Sequence, residues 1–477
     1  MNQIISLKQI ILYFNFILGI LSWYTFIVCG ETKYVNIYTV LLTNMLILEN
    51  ILILKYSIRN NNNITFILTI VITFFYLLRV VTLNYSSYSS TLEMYDFNFV
   101  NAINHTLIFI ILSNFFMFLG IYCSNKIKIN IKTKSFKSRI PQKIKSKNVL
   151  LLMMIANILA FSKVFQGSFL EPIIGYMNSL FFNIKYILLV CAIFFFYHSS
   201  IKKGNRRIFY ILILLFVFGI TISGSRSGIL TVAIILLLAS LTVKNDLYFK
   251  YKHLMYASLL IPISVLFFLF ATFLRQTSST KLSVVDRVNL IKSYDISDID
   301  ADNGIKIILS PVFDRMGFLD YSTDMIYYAP IYSKVVNFEY YFMSIVDNVL
   351  TPGFDVFDVP KVSIVLPYMH DNVFLIDKKF AENQGYLSAE LTIYGEVFCL
   401  FGFLSLLVFF LIGYFLQFIY LLKLHDDFNT TLKNGVILFS FYTFINSFGI
   451  DWLVFDVLSL ILAYYILIFS KKIVFSK

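Results

Sequence analysis

The run Gly219-Ile-Thr-Ile-Ser-Gly-Ser-Arg-Ser-Gly228 sets one guanidinium, Arg226, among hydroxyls and glycines between two apolar segments. Ser223, Ser225 and Ser227 supply donors, and Gly224 and Gly228 let backbone N–H groups approach a ligand closely. The helix expected to follow offers free N–H groups at its start, so the turn has the chemistry of an anion site, with the guanidinium matched to phosphate oxygens. Arg275, Arg287 and Arg315 lie downstream and could join Arg226 around a diphosphate. The segment Phe313-Asp-Arg-Met-Gly-Phe-Leu-Asp320 brings Arg315 close to Asp320, and Pro367-Tyr-Met-His-Asp-Asn372 holds His370, which can accept a proton near neutral pH. Asp320, Asp371 and Glu390 compete with His370 for the role of base.

Other chemistries lack their residues. An EF-hand aligned from Asp298 would need glycine where Asn303 stands and glutamate where Leu309 stands, so the acidic run Asp295 to Gly304 reads as a solvated turn. Cys29, Cys123, Cys191 and Cys399 show no paired spacing, and no metal or other cofactor is expected. Walker A, dinucleotide, HExxH and Gly-x-Ser-x-Gly patterns are absent from the sequence.

These residues must be positioned by membrane helices. Of 477 residues, 58% are hydrophobic and 14% charged, and the mean hydropathy is +0.78. A soluble domain carries about 25% charged residues, so this chain lacks the polar surface that water requires. At about 20 residues per span, the apolar windows give an all-α integral membrane protein with about twelve transmembrane helices. The windows are 10–28, 35–54, 64–83, 103–123, 149–165, 180–197, 208–222, 228–243, 254–274, 391–422, 435–448 and 452–469. No small-residue cleavage pattern follows the first run, which reads as an uncleaved span.

The net charge of +12 is first a topological signal rather than a sign of nucleic acid. With the N-terminus inside, about 24 of the 39 Lys and Arg residues fall in inner connections, whereas the short outer connections hold only Lys33 and Arg226. Both termini are therefore expected in the cytoplasm. The chain divides into four helices in 1–123, a basic cytoplasmic linker at 124–148, helices five to nine in 149–274, a large outer loop at 275–390 and the last three helices in 391–477. The linker suits anionic headgroups. The outer loop is far longer than an ordinary connection, and its aromatic patches and prolines predict an ordered, mostly helical cap.

Depth singles out Arg226 again. The two segments flanking its turn, about 15 and about 16 residues long, reach only about 22 and about 24 Å against a hydrocarbon core of about 30 Å. Polar backbone at that depth has to line a protein cavity. Arg79, Lys163 and Lys185 are the bases inside spans, all toward outer ends. Singly, Arg79 and Lys163 read as side chains reaching outer headgroups; with Arg226 and Arg275 they suggest a shared anion site.

On Ser223-Gly-Ser-Arg-Ser-Gly228, Asp314-Arg-Met-Gly-Phe-Leu-Asp320 and Gly385-Tyr-Leu-Ser-Ala-Glu-Leu-Thr-Ile-Tyr-Gly395, the chain resembles the Wzy-type O-antigen polymerases. The arginine-to-glycine spacing signature of some members is absent, and Asp371 interrupts the histidine-asparagine pattern of the related O-antigen ligases. The resemblance implies a GT-C-like fold in the bacterial inner membrane. It implies metal-independent transfer of a growing glycan from undecaprenyl diphosphate to a new lipid-linked repeat unit at the periplasmic face. Arg226 and Arg315 would hold the diphosphate, with Arg275 and Arg287 beside them, and His370, Asp320 or Glu390 would act as base. Implied partners are the undecaprenyl-diphosphate-linked oligosaccharide, membrane lipid, a chain-length regulator and a flippase, with no nucleic acid. The alternatives are an O-antigen ligase and a flippase or transporter for lipid-linked oligosaccharide.

Overall fold

The computed structural model describes residues 4–84, 99–126, 146–161, 184–198, 203–222, 232, 234–239, 241–242, 248–250, 317–334, 336–347, 356–359, 392–422 and 427–447. These residues are mostly helical. Helices α1 (Leu7–Cys29), α2 (Ile37–Asn60), α3 (Asn63–Thr82) and α4 (Phe99–Lys126) form the first part of the bundle, and each is long and apolar enough to cross a membrane. Helix α3 is interrupted by a π segment at Ile72–Leu77. Next come α5 (Ser146–Ala160), α6 (Ile184–His198) and α7 (Lys203–Ile222). The interval 275–390 contributes α8 (Phe318–Tyr327), α9 (Ala329–Tyr332) and α10 (Phe338–Ile345). The last elements are α11 (Ile393–Phe401), α12 (Ser405–Leu421) and α13 (Asp427–Ser447). Residues 234–239 are also helical, whereas the windows 254–274 and 452–469 lie outside the described residues.

Polar side chains punctuate the apolar runs. Ser6 and Gln9 form a capping box at the start of α1, and Gly30, at φ +67°, ends it with a backbone conformation that side-chain-bearing residues rarely adopt. The asparagine run 60–63 is a helix-to-helix turn: Asn61 is left-handed at φ 49°, and Asn62 caps α3 by accepting from the N–H groups of Ile64 and Thr65.

Helices α4 and α12 run parallel along a tight seam. Met117 meets Gly413, Gly120 meets Phe410 and Tyr414, and Asn125 meets Gln417, so contacts advance together along both chains. A Cβ on Gly120 would sit 2.1 Å from the Phe410 carbonyl oxygen, and one on Gly413 would sit 2.1 Å from that of Met117. Both glycines are therefore required by backbone approach.

The apolar window 391–422, expected as one long span, is a bent element. The Tyr394 and Phe409 rings stack at 5.3 Å, although fifteen residues of straight helix would separate them by about 22 Å. Phe109 likewise touches both Phe398 and Phe409. The chain rises along α11, reverses at Gly402 (φ +54°) through a 3-10 turn, and descends as α12. Hydropathy cannot register such a reversal, because both arms are apolar.

Contacts sort the helix ends into two groups. At one end, the strand Ile4–Ser6 pairs antiparallel with Tyr248–Lys250, and Lys8 lies over Phe66. There too Asn62 donates to Gln417, Gln417 to Asn125 and Asn125 to Tyr56, at 3.1, 2.7 and 2.7 Å. Lys433 donates to the carbonyls of Tyr420 and Leu422 that end α12, at 2.9 and 2.6 Å. At the other end Thr32 meets Asn84, Thr39 meets Asn104 and Arg79 meets Asp320. The first group holds ends that the charge count places inside, the second those that it places outside. Which face is cytoplasmic rests on the charge count alone.

Candidate functional site

At the end that the charge count places outside, α8 and α11 stand side by side within the bundle, against α3 and α4. The Phe318 ring meets Phe75 at 4.8 Å, Ser322 donates to Thr392 at 2.7 Å, and the Cys399 thiol reaches the Met325 carbonyl at 3.5 Å. A Cβ on Gly395 would stand 2.6 Å from that of Met325, so the two helices touch through this glycine. Each helix starts inside the bundle and rises outward. The buried start of α11 is satisfied by Thr392, which accepts from the Gly395 N–H at 3.3 Å.

Arg79 and Asp320 lock this wedge to α3. Both side chains are 0% exposed. The Arg79 Nε donates to both carboxylate oxygens, at 3.0 and 3.1 Å, and Nη2 donates to Oδ2. Asp320 also lies in the first turn of α8, where the helix dipole favours an anion. Breaking such a pair strands a buried charge, which is far costlier than the pair's own net contribution. Asp324 and Glu396 are buried nearby, at 0% and 1% exposure. Among its described residues the wedge thus buries three acids, of which Asp320 is held by Arg79.

Beneath the wedge lies a polar belt. The Tyr394 hydroxyl donates to Asn114, and the Tyr76 ring packs edge-on against Tyr394 at 5.3 Å. The buried Tyr76 hydroxyl faces Ser322 without reaching hydrogen-bond geometry. Glu49 on α2 has both carboxyl oxygens buried, with no hydrogen-bond partner among the described residues. On the other side of α3, Asn15 and Asn50 both donate to the Thr73 hydroxyl, at 3.0 and 2.9 Å. The π segment therefore directs Thr73 to one polar group and Tyr76 to the other, and such segments recur at functional sites.

Two sequence expectations change here. Asp320, a candidate base, is enclosed and held by a guanidinium, so an acceptor hydroxyl cannot reach it; it pins α8 to α3. Arg79, read singly as reaching outer headgroups and together with the other outward bases as part of a shared anion site, turns inward to Asp320, because a paired guanidinium avoids the cost of lone burial. Lys185 is buried as well, with its ammonium 5.4 Å from the Tyr186 ring centroid. Arg226, Arg275, Arg287, Arg315, His370 and Glu390 lie outside the described residues. Sequence reasoning missed Glu49, whose signal was a lone acid inside the apolar run 46–54, and the Ser322–Thr392 and Tyr394–Asn114 pairs, which join residues remote in sequence. Among the described residues no group of three or more His, Cys, Asp or Glu side chains converges to hold a metal. Comparison with family models, curated proteins and solved structures yields no match to this chain.

Proposed function

We propose that this multi-helix membrane protein is a glycosyltransferase of the O-antigen polymerase type. It would move a growing glycan from undecaprenyl diphosphate onto a new lipid-linked repeat unit at the periplasmic face of a bacterial inner membrane. The observation that carries the reading is the wedge: helices α8 and α11, from and beside the long outer loop, are built into the outer end of the bundle. A loop anchored there suits a substrate whose sugars are in water and whose diphosphate sits at headgroup depth. Arg315 precedes Gly317, the start of the anchored segment, by two residues.

In this mechanism Arg226 and Arg315, with Arg275 and Arg287 beside them, bind the diphosphate and stabilise the charge that develops on it as the glycosidic bond breaks. His370 or Glu390 removes the proton of the acceptor hydroxyl. The loop orients the two glycans while the lipid tails remain in the bilayer. The reaction requires neither metal nor nucleotide sugar. Purified protein given lipid-linked repeat units in detergent should yield a ladder of longer glycans, and Arg226→Ala should abolish it while the protein stays inserted and abundant. An unchanged ladder in Arg226→Ala removes Arg226 from the mechanism, and no ladder from folded wild-type protein removes the reaction. Loss of the gene should leave single-repeat caps, whereas loss of a ligase would leave uncapped core.

One observation favours transport of lipid-linked oligosaccharide as a second reading. Glu49 is an acid without a hydrogen-bond partner among the described residues, midway along α2, the depth at which transporters place coupling-ion sites. Substrate accumulating on the cytoplasmic leaflet after gene loss would favour this alternative.

A further inference from the structure

The short helix α10 splits into two faces. Tyr340, Tyr341 and Ser344 are buried, whereas Phe338 and Phe342, one turn apart, are 61% and 63% exposed. Their exposure is built into the fold. The Asp347 carboxylate accepts from the backbone N–H groups of Val356 and Phe357, both at 3.0 Å, and of Val359 at 3.2 Å. That clasp holds the exposed Val356 and Phe357 beside α10, with the Phe357 ring 6.3 Å from that of Phe342. A carboxylate thus fixes a turn whose outward side chains are apolar, an arrangement with no benefit in water.

The patch continues into the membrane-facing surface. Phe338 packs edge-on against Phe401 at 5.2 Å, at the tip of the α11–α12 hairpin, and Phe398 meets Phe403 at 6.1 Å. From that tip Phe403, Leu404, Leu407, Leu411, Phe415 and Ile419 are exposed in a stripe down α12. A stripe along a helix of this composition faces hydrocarbon. The exposed Lys334 and Glu339 adjoin the aromatic patch and supply the polar edge that a headgroup layer requires.

We infer that the Phe338–Phe342–Phe357 patch is a membrane-docking surface, with its occupant the acyl chains of the outer leaflet. It would fasten the outer loop to the bilayer beside the α11–α12 hairpin. The inference rests on the membrane reading of the bundle and not on glycosyl transfer, so either can fail alone.

The test places a single fluorophore in the patch. The chain has two tryptophans, Trp23 and Trp452; full-length protein carrying Trp23→Phe, Trp452→Phe and Phe342→Trp is reconstituted in phosphatidylcholine vesicles. Bromine on acyl-chain carbons within about 5–10 Å of the headgroup boundary should remove most of the emission, since that is the depth interfacial helices reach. Aqueous acrylamide should leave most of it. Phe357→Trp in the same background should behave alike, which guards against a local fault at one position. Quenching by acrylamide but not by bromolipid would overturn the inference. Protection from both quenchers would overturn it too, because a protein surface would then cover the patch.

Discussion

The α4–α12 seam and the α3–α8–α11 wedge hold the same bundle by opposite means. At the seam, Gly120 and Gly413 leave no room for a single added carbon, and polar pairing waits until Asn125 and Gln417 at the end that the charge count places inside. At the wedge, a guanidinium and a carboxylate are enclosed with two further acids. The seam is fixed by shape and so should reject added volume. Charge fixes the wedge, which should reject the loss of either partner yet accept the loss of both.

The largest effect expected is therefore at Arg79. Arg79→Ala leaves Asp320 buried without its guanidinium, and thermal unfolding in detergent should show a loss of about 3–5 kcal/mol. The double variant Arg79→Met, Asp320→Leu removes both charges and puts apolar side chains in their place, so most of that loss should be recovered, as replacement of buried pairs by apolar groups often is. If the double variant is as unstable as the single one, charge pairing is not what secures the wedge.

At the seam, Gly413→Ala should cost about 1–3 kcal/mol, because the new Cβ confronts backbone and cannot be relieved by a rotamer change. The same substitution at Gly19, which has only ordinary side-chain contacts within reach, serves as a control and should be nearly neutral or stabilising. Equal changes at the two positions would show that close backbone approach is not what the seam depends on, since helix propensity alone favours Ala over Gly at both.

The comparison also explains what the sequence discloses. The first four spans are legible as 10–28, 35–54, 64–83 and 103–123 because hydropathy is continuous; the first helix starts before its apolar run, behind the cap Ser6, and the fourth ends after it, at Lys126, whereas α2 starts inside its window because Asn36 caps it. The wedge is not legible. Arg79 and Asp320 are 241 residues apart, and Asp320 and Asp324 give α8 the polarity of a solvated loop although it is sunk in the bundle. Gly402 is one glycine within an apolar stretch, so the reversal it permits leaves no trace in a hydropathy profile. Glu49 was visible, yet counting bases passed over a lone acid.

A smaller loss, about 1 kcal/mol, is expected for Thr392→Ala, which removes the side-chain cap of α11 and the acceptor of the Ser322 hydroxyl. Thr392→Ser keeps the oxygen and should recover most of it. A cap whose removal goes unnoticed in thermal unfolding would mean that packing through Gly395 alone seats α11 against α8.

Glu49→Gln should have the smallest effect on stability and the greatest value for function. The amide matches the carboxyl in shape, and no hydrogen bond among the described residues is lost because the carboxyl oxygens make none there; the change exchanges one buried polar group for another of the same size and should be smaller than those above. The two functional readings then part. Glycan transfer at the outer end does not use Glu49, so the ladder made from lipid-linked repeat units should match that of the wild type. Transport coupled through an acid in the middle of the bundle does use it, and in cells the variant should leave lipid-linked repeats on the cytoplasmic leaflet. A variant that folds normally, makes the full ladder in detergent and still traps substrate on the inner leaflet would assign the wedge and the polar belt to two separate activities of one chain.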